Sequence, residues 1–133
     1  MALMVATAPA ELEDRVAAVV ALCGPSDLRG WVKEGPEADQ ILPALRFSPL
    51  KAADVSPLLY VSPGDSPTLL IHGDQDTVVP LWHSEKILAA FKAKNVPSEL
   101  RVIPGARHGF EGDDEIRARQ AMIAWFEKYL VRH

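Results

Sequence analysis

Two side chains in this sequence have the types and settings to do chemistry together. Asp76 follows the apolar run Thr68-Leu69-Leu70-Ile71-His72, and His108 follows Leu100-Arg101-Val102-Ile103. Each run reads as a strand opening into a loop, so the acid and the histidine each stand just past a strand's carboxyl end. A carboxylate that orients an imidazole and an imidazole that moves a proton are two parts of a nucleophilic triad. The third part, a hydroxyl on a sharp Gly-x-Ser-x-Gly turn, is absent from the 133 residues. Without it the pair can at best activate a water. Losing the serine of a working triad costs on the order of a million-fold in turnover.

The elements that must position this pair follow from the hydrophobic pattern. Residues 2–8 are apolar and helix-compatible, stopped by Pro9. Arg15 to Leu22 is a near-continuous apolar run with three valines, followed by Gly24-Pro25, and predicts a strand buried on both faces. Residues 29–66 are irregular, with a short helical stretch at Gln40–Leu45 and loop pieces at Ser48-Pro49-Leu50 and Ser56 to Tyr60. Thr68 to His72 is the second strand. Leu81 to Lys94 predicts a helix with Ile87, Leu88 and Phe91 inward, ended by Asn95 and Val96-Pro97. Glu99 to Ile103 alternates polar and apolar, as a strand nearer an edge does. Asp113 to Arg132 predicts a last helix with Ile116, Ile123, Phe126 and Leu130 as its buried stripe. Strands alternating with helices imply a short parallel sheet flanked by helices, an α/β fold in a single domain over 1–133. Sites in such sheets lie beyond the carboxyl ends of the strands, where Asp76 and His108 fall.

Composition narrows the partners. The hydrophobic fraction is 48% and the charged fraction 24%, both ordinary for a soluble domain. A formal net charge of -4 without a basic run argues against nucleic acid. No stretch is long enough to cross a bilayer. The single cysteine, Cys23, excludes an internal disulfide and fits a reducing, cytoplasmic setting. The apolar start lacks the positively charged leader of a signal peptide and reads as the end of a buried helix.

Three segments carry a resemblance: Ser56-Pro57-Leu58-Leu59-Tyr60-Val61-Ser62-Pro63, the stretch from Pro67 to Pro80, and Val102 to Phe110. They resemble the C-terminal half of α/β-hydrolase esterases, nearest the carboxylesterase, feruloyl-esterase and acetyl-xylan-esterase branch, with the prolyl-oligopeptidase catalytic domain more distant. Val19 to Leu28 resembles the strand and turn after the nucleophile helix, and Met1 to Ala8 the end of that helix. The resemblance implies a partial α/β-hydrolase fold that begins a few residues after the nucleophile. It carries the triad acid onto Asp76, which precedes the x-Val-Val-Pro turn, and the base onto His108. Asp74, the rival acid, is expected to stabilise the loop by accepting backbone N–H bonds. The serine and the oxyanion hole would come from upstream, and no metal or organic cofactor is implied.

Four other side chains are candidates to replace the serine. Ser26 lies past the first strand's carboxyl end, where a turn or cap serine is the plainer reading. Cys23 ends the same strand, where packing is the plainer role. Ser62 and Ser66 fall on the wrong side of the sheet. Of the other histidines, His72 is expected to make a local bond, His83 to sit on an exposed first helical turn, and His133 is terminal. None has metal-ligand spacing. Trp31, Trp82 and Phe110 fit either an acyl pocket or core.

Two functions from different classes follow. One is a carboxylic-ester hydrolase acting on a small-molecule ester, its serine supplied by a missing segment or a partner chain. The other is a non-catalytic oligomerisation or binding module derived from a hydrolase. A small enzyme using Ser26 or Cys23 is a third. Because the strand at 15–22 lacks the neighbour it has in the resembled fold, its apolar edge is expected to drive homo-oligomerisation.

Overall fold

The computed structural model describes residues 2–7, 15–29 and 53–130. Its central strand, β2 (Thr68–Gly73), is buried at all six positions, as a strand enclosed between two layers must be. It pairs in parallel with β1 (Val19–Leu22) on one side and β3 (Ser98–Ile103) on the other. The order is β1-β2-β3. Val19 stands opposite Thr68, and Gly73 stands opposite Ile103. The three carboxyl ends therefore share one edge of the sheet, and the loops after β2 and β3 emerge side by side.

Side chains along β2 alternate between two cores. Leu70 joins Leu3, Ala21, Ile87, Phe91 and Val96. Leu69 and Ile71 join Ile103, Ala106, Ala118 and Trp125 on the other face. The first core is covered by α1 (Ala2–Thr7) and α2 (Trp82–Ala93), the second by α3 (Asp113–Leu130). The result is a helix–sheet–helix sandwich, the partial α/β-hydrolase arrangement. Two 3-10 turns, Ala53–Val55 and Pro57–Tyr60, lead toward β2. After α2 the chain turns at Asn95, whose φ of 59° is left-handed, and Val96 N–H closes on Phe91 C=O at 2.9 Å. Among the described residues no helix is long and apolar enough to cross a membrane.

Three expectations are corrected. The first strand spans four residues rather than 15–22, and it is not buried on both faces, since Leu22 is 47% exposed. The reason is its place at the rim of the sheet. The stripe of α3 is also different: Ile116, Ile123 and Leu130 are each about half exposed. The helix instead turns Ala118 and Trp125 inward, with Ala121 and Tyr129 beside them. Trp125 has the largest apolar surface to bury, and its indole N–H also reaches Pro67 C=O at 3.4 Å. The third correction, His83, belongs to the site. The helical stretch at Gln40–Leu45, the piece at Ser48-Pro49-Leu50, Trp31 and His133 lie outside the described residues.

Candidate active site

The acid loop leaves β2 through Gly73 and the histidine loop leaves β3 through Pro104-Gly105. Gly73 is what lets them touch. A Cβ there would stand 2.6 Å from Ala106 C and 2.9 Å from Arg107 O, and closer still to Ala106 O. The loops are then stitched by backbone: Gln75 N–H donates to Ala106 C=O at 2.9 Å, and Asp74 N–H to Ile103 C=O at 3.4 Å. Asp74 Oδ1 accepts from Gly105 N–H at 2.7 Å, the loop-fastening role expected of the rival acid. Gly109, next to the histidine, has a φ of 91°, a conformation that a side chain would strain.

These contacts bring Asp76 and His108 together. Asp76 Oδ2 lies 2.9 Å from His108 Nδ1. Its Oδ1 accepts from Val78 N–H at 2.9 Å and Val79 N–H at 2.8 Å, an Asx-type turn that fixes the carboxylate. The carboxylate is fully buried and the imidazole 44% exposed. Burial by itself would raise Asp76's pKa. Hydrogen bonds from Val79 and His108, the charge of His108 and the Val78 bond outweigh it, so the group sits below its ordinary value. An anionic Asp76 accepts at Nδ1–H, which leaves Nε2 as the nitrogen able to take a proton. Nε2 has no hydrogen-bond partner among the described residues. His108 lines a cavity of about 460 Å³ with Leu22, Cys23, Phe110, Ala118 and Met122. Phe110 is thus at the pocket and also packs on the core. Trp82 stacks on His83 with ring centroids 3.7 Å apart, away from that pocket's lining.

Neither substitute nucleophile is poised. Ser26 is fully buried, and its hydroxyl donates to His83 C=O at 2.7 Å. Cys23 is buried with a left-handed φ of 50°. Burial raises its thiol pKa and Asp76 adds to this, against the N–H groups of Gly109 and Gly73, so the thiol stays protonated. Ser66 Oγ–H donates to Val16 C=O, and Ser62 Oγ–H to Asp65, both before β2.

Two histidines gain roles that spacing along the chain did not show. His83 was expected to be exposed and is 1% exposed. Its Nδ1 faces the N–H groups of Ser26 (3.2 Å) and Asp27 (3.4 Å), and so ties α2 to the turn after β1. Burial, then the nearby His72, depresses its pKa to about 4, so it is neutral. His72 does make its expected local bonds, to Ser84 Oγ at 2.7 Å and Val79 O at 2.6 Å. Donor atoms of Cys23, His72 and Asp76, all buried, lie within 4.8 Å of one another. Both nitrogens of His72 and both oxygens of Asp76 are already bonded within the protein, so the cluster is a hydrogen-bonded floor beneath the pair.

A parallel sheet between helices, with an acid loop and a histidine loop joined past its carboxyl edge, defines an α/β-hydrolase. The chain belongs to the prolyl oligopeptidase family, whose model matches residues 2–133. Peptidases and esterases both stand among the similar proteins. The acylamino-acid-releasing enzyme of Mus musculus is 29% identical over 116 residues, 84% of this chain and 16% of that protein. The solved acylaminoacyl peptidase in complex with Z-Gly-Gly-Phe-chloromethyl ketone superposes with a TM-score of 0.74 at 21% identity, covering 90% of this chain and 21% of that one. Esterase 2 of Thermogutta terrifontis, phosphoramylated by tabun, gives 0.72 at 22% identity, covering 95% and 49%. The chain thus spans about half of that esterase and a sixth of the curated relative. Its lineage is that of serine hydrolases.

Proposed function

We propose that this chain supplies the acid and base of a Ser–His–Asp centre that hydrolyses carboxylic esters. The observation that carries this reading is the 2.9 Å contact of a buried, doubly anchored Asp76 with a half-exposed His108. The nucleophile is a serine supplied by a segment other than these 133 residues. As the serine Oγ bonds to the acyl carbon, its proton passes to His108 Nε2. Asp76 holds the tautomer and stabilises the cationic ring. The proton then goes to the departing alkoxide, and a water repeats the cycle to free the acid.

The family and the acylamino-acid-releasing relative support a second substrate class, N-acylated peptides, on the same residues. The ester reading is preferred for the mainly apolar lining beside His108, where Leu22, Phe110, Ala118 and Met122 outnumber Glu115 and Arg119. The test is covalent labelling with a fluorophosphonate, read by intact mass, on this chain alone and with a segment bearing Gly-x-Ser-x-Gly supplied. One adduct appearing only on completion, and lost in His108→Ala, is the expected result, with p-nitrophenyl ester turnover following it. No adduct in either sample would leave the scaffold as a non-catalytic module.

A further inference from the structure

Among the described residues, His72 is the fully buried imidazole that contacts the acid, and the hydrolysis scheme does not use it. Its ring joins three pieces of chain. Nε2 is 2.6 Å from Val79 O and 3.3 Å from Asp76 Oδ2. A carbonyl oxygen only accepts, so Nε2 carries the proton. Nδ1 then accepts from the Ser84 hydroxyl in the first turn of α2, at 2.7 Å. Val79 is held from both ends: its N–H donates to Asp76 Oδ1 and its C=O accepts from His72. The oxygen that His72 flanks, Oδ2, is the one that His108 uses.

A carboxylate can satisfy a turn and an imidazole at once only if its torsion is fixed. Backbone donors grip Oδ1, but that grip is only as firm as the turn bearing Val78 and Val79. His72, itself immobilised between Ser84 and the rigid end of β2, clamps that turn through Val79 C=O. Its N–H edge also stands beside Oδ2 and discourages the carboxylate from swinging.

We propose that His72 is a positioning residue: with Ser84 it locks the turn and the Asp76 carboxylate so that Oδ2 is presented to His108. The proposal rests on the Asp76–His108 reading and adds the group that makes it work. It predicts that His72 acts through a donated N–H. An amide of similar reach can replace that donor, and a hydrocarbon of similar size cannot.

The test needs no substrate. In the 133-residue chain, nitrogen-15 chemical shifts of the histidine rings, taken at alkaline pH where imidazoles are neutral, report which nitrogen of His108 holds the proton. In the wild type, Asp76 makes Nδ1–H the majority form. Asp76→Asn should abolish that majority. His72→Leu should abolish it too, while His72→Gln restores it. Backbone amide spectra monitor the fold in each variant. If His72→Leu fails to fold, Ser84→Ala decides the matter, since freeing Nδ1 unlocks the ring and should lower the Nδ1–H fraction. His108 staying Nδ1–H in a folded His72→Leu, or in Ser84→Ala where that variant decides, overturns the proposal and leaves the pair intact. A wild type without that form, or indifferent to Asp76→Asn, would overturn the pair and the proposal together.

Discussion

Asp76 divides two tasks between its two oxygens. Oδ1 holds the Val78–Val79 turn and Oδ2 holds His108. Replacing it with Asn leaves one acceptor; the two backbone N–H groups of Val78 and Val79 keep the amide oxygen at the turn, so the N–H₂ faces His108 and its Nδ1 can no longer donate. In the proposed hydrolase, completed with its serine, Asp76→Asn is expected to lower kcat about ten-thousand-fold with a small change in KM, measured by ester turnover. The preference for Asp76 over Asp74 came from the resemblance, which places the acid before the x-Val-Val-Pro turn; the fold adds that this turn aims the N–H groups of Val78 and Val79 at its Oδ1. His83 was not legible. Its position opens an amphipathic helix, where a polar residue ordinarily faces water. Only the fold shows that the turn at Ser26 and Asp27, over fifty residues away, needs an acceptor there. The Cys23–His72–Asp76 floor was hidden for the same reason, since its members lie on different strands and loops.

At the scale of elements, two couplings set the site. The first is the contact of the β2 exit with the loop after β3 at Gly73. Gly73→Ala is expected to push Ala106 and Arg107 away, cost about 1–3 kcal/mol in urea unfolding, and break the Asp76–His108 contact. Unchanged stability and an unchanged His108 tautomer would count against it. The second is His83, which ties α2 to the end of β1. Its pKa falls from 6.5 to about 4 on folding. Between those pH values the unfolded chain binds a proton that the folded chain does not. The stability linked to neutral His83 is therefore full above about pH 6.5 and drains as pH falls toward 4, to a limit of about 3 kcal/mol. Asp76, whose pKa is also depressed but which is an acid, holds its contribution above its ordinary 3.8 and loses it only below that. Urea midpoints across this range should show the loss, and His83→Asn, which keeps an acceptor but does not titrate, should flatten it. Strand and helix order was readable because period-two and period-3.6 patterns are local. The inward face of α3 was not: that helix carries two apolar stripes, and the bulk of Trp125 decides between them.

For the whole molecule, the decisive feature is the outer side of β1. Val19 and Cys23 donate their N–H groups to Pro67 and Ile71 at 2.8 and 2.9 Å, toward β2. By strand alternation the N–H groups of Val20 and Leu22 point the other way, and no strand among the described residues meets them. Leu22 is 47% exposed and borders an apolar groove of about 480 Å³ shared with Met4, Pro25, Leu28 and Val55. An unpaired apolar edge templates association, and a second copy offers the same edge around a two-fold axis. Pairing four residues is not enough by itself, since stable dimers bury on the order of 1,200 Å² or more, so the groove has to join the contact. The 133-residue chain alone is expected to self-associate in sedimentation, with the Val20 and Leu22 amides slow to exchange. Leu22→Lys should return it to monomer and speed that exchange. A wild-type monomer with both amides exchanging freely would rule this out. The same edge is where the proposed hydrolase would receive the strand that leads to its serine. Completion and self-association therefore compete, and adding the Gly-x-Ser-x-Gly segment should dissolve the oligomer as it creates the fluorophosphonate-reactive site.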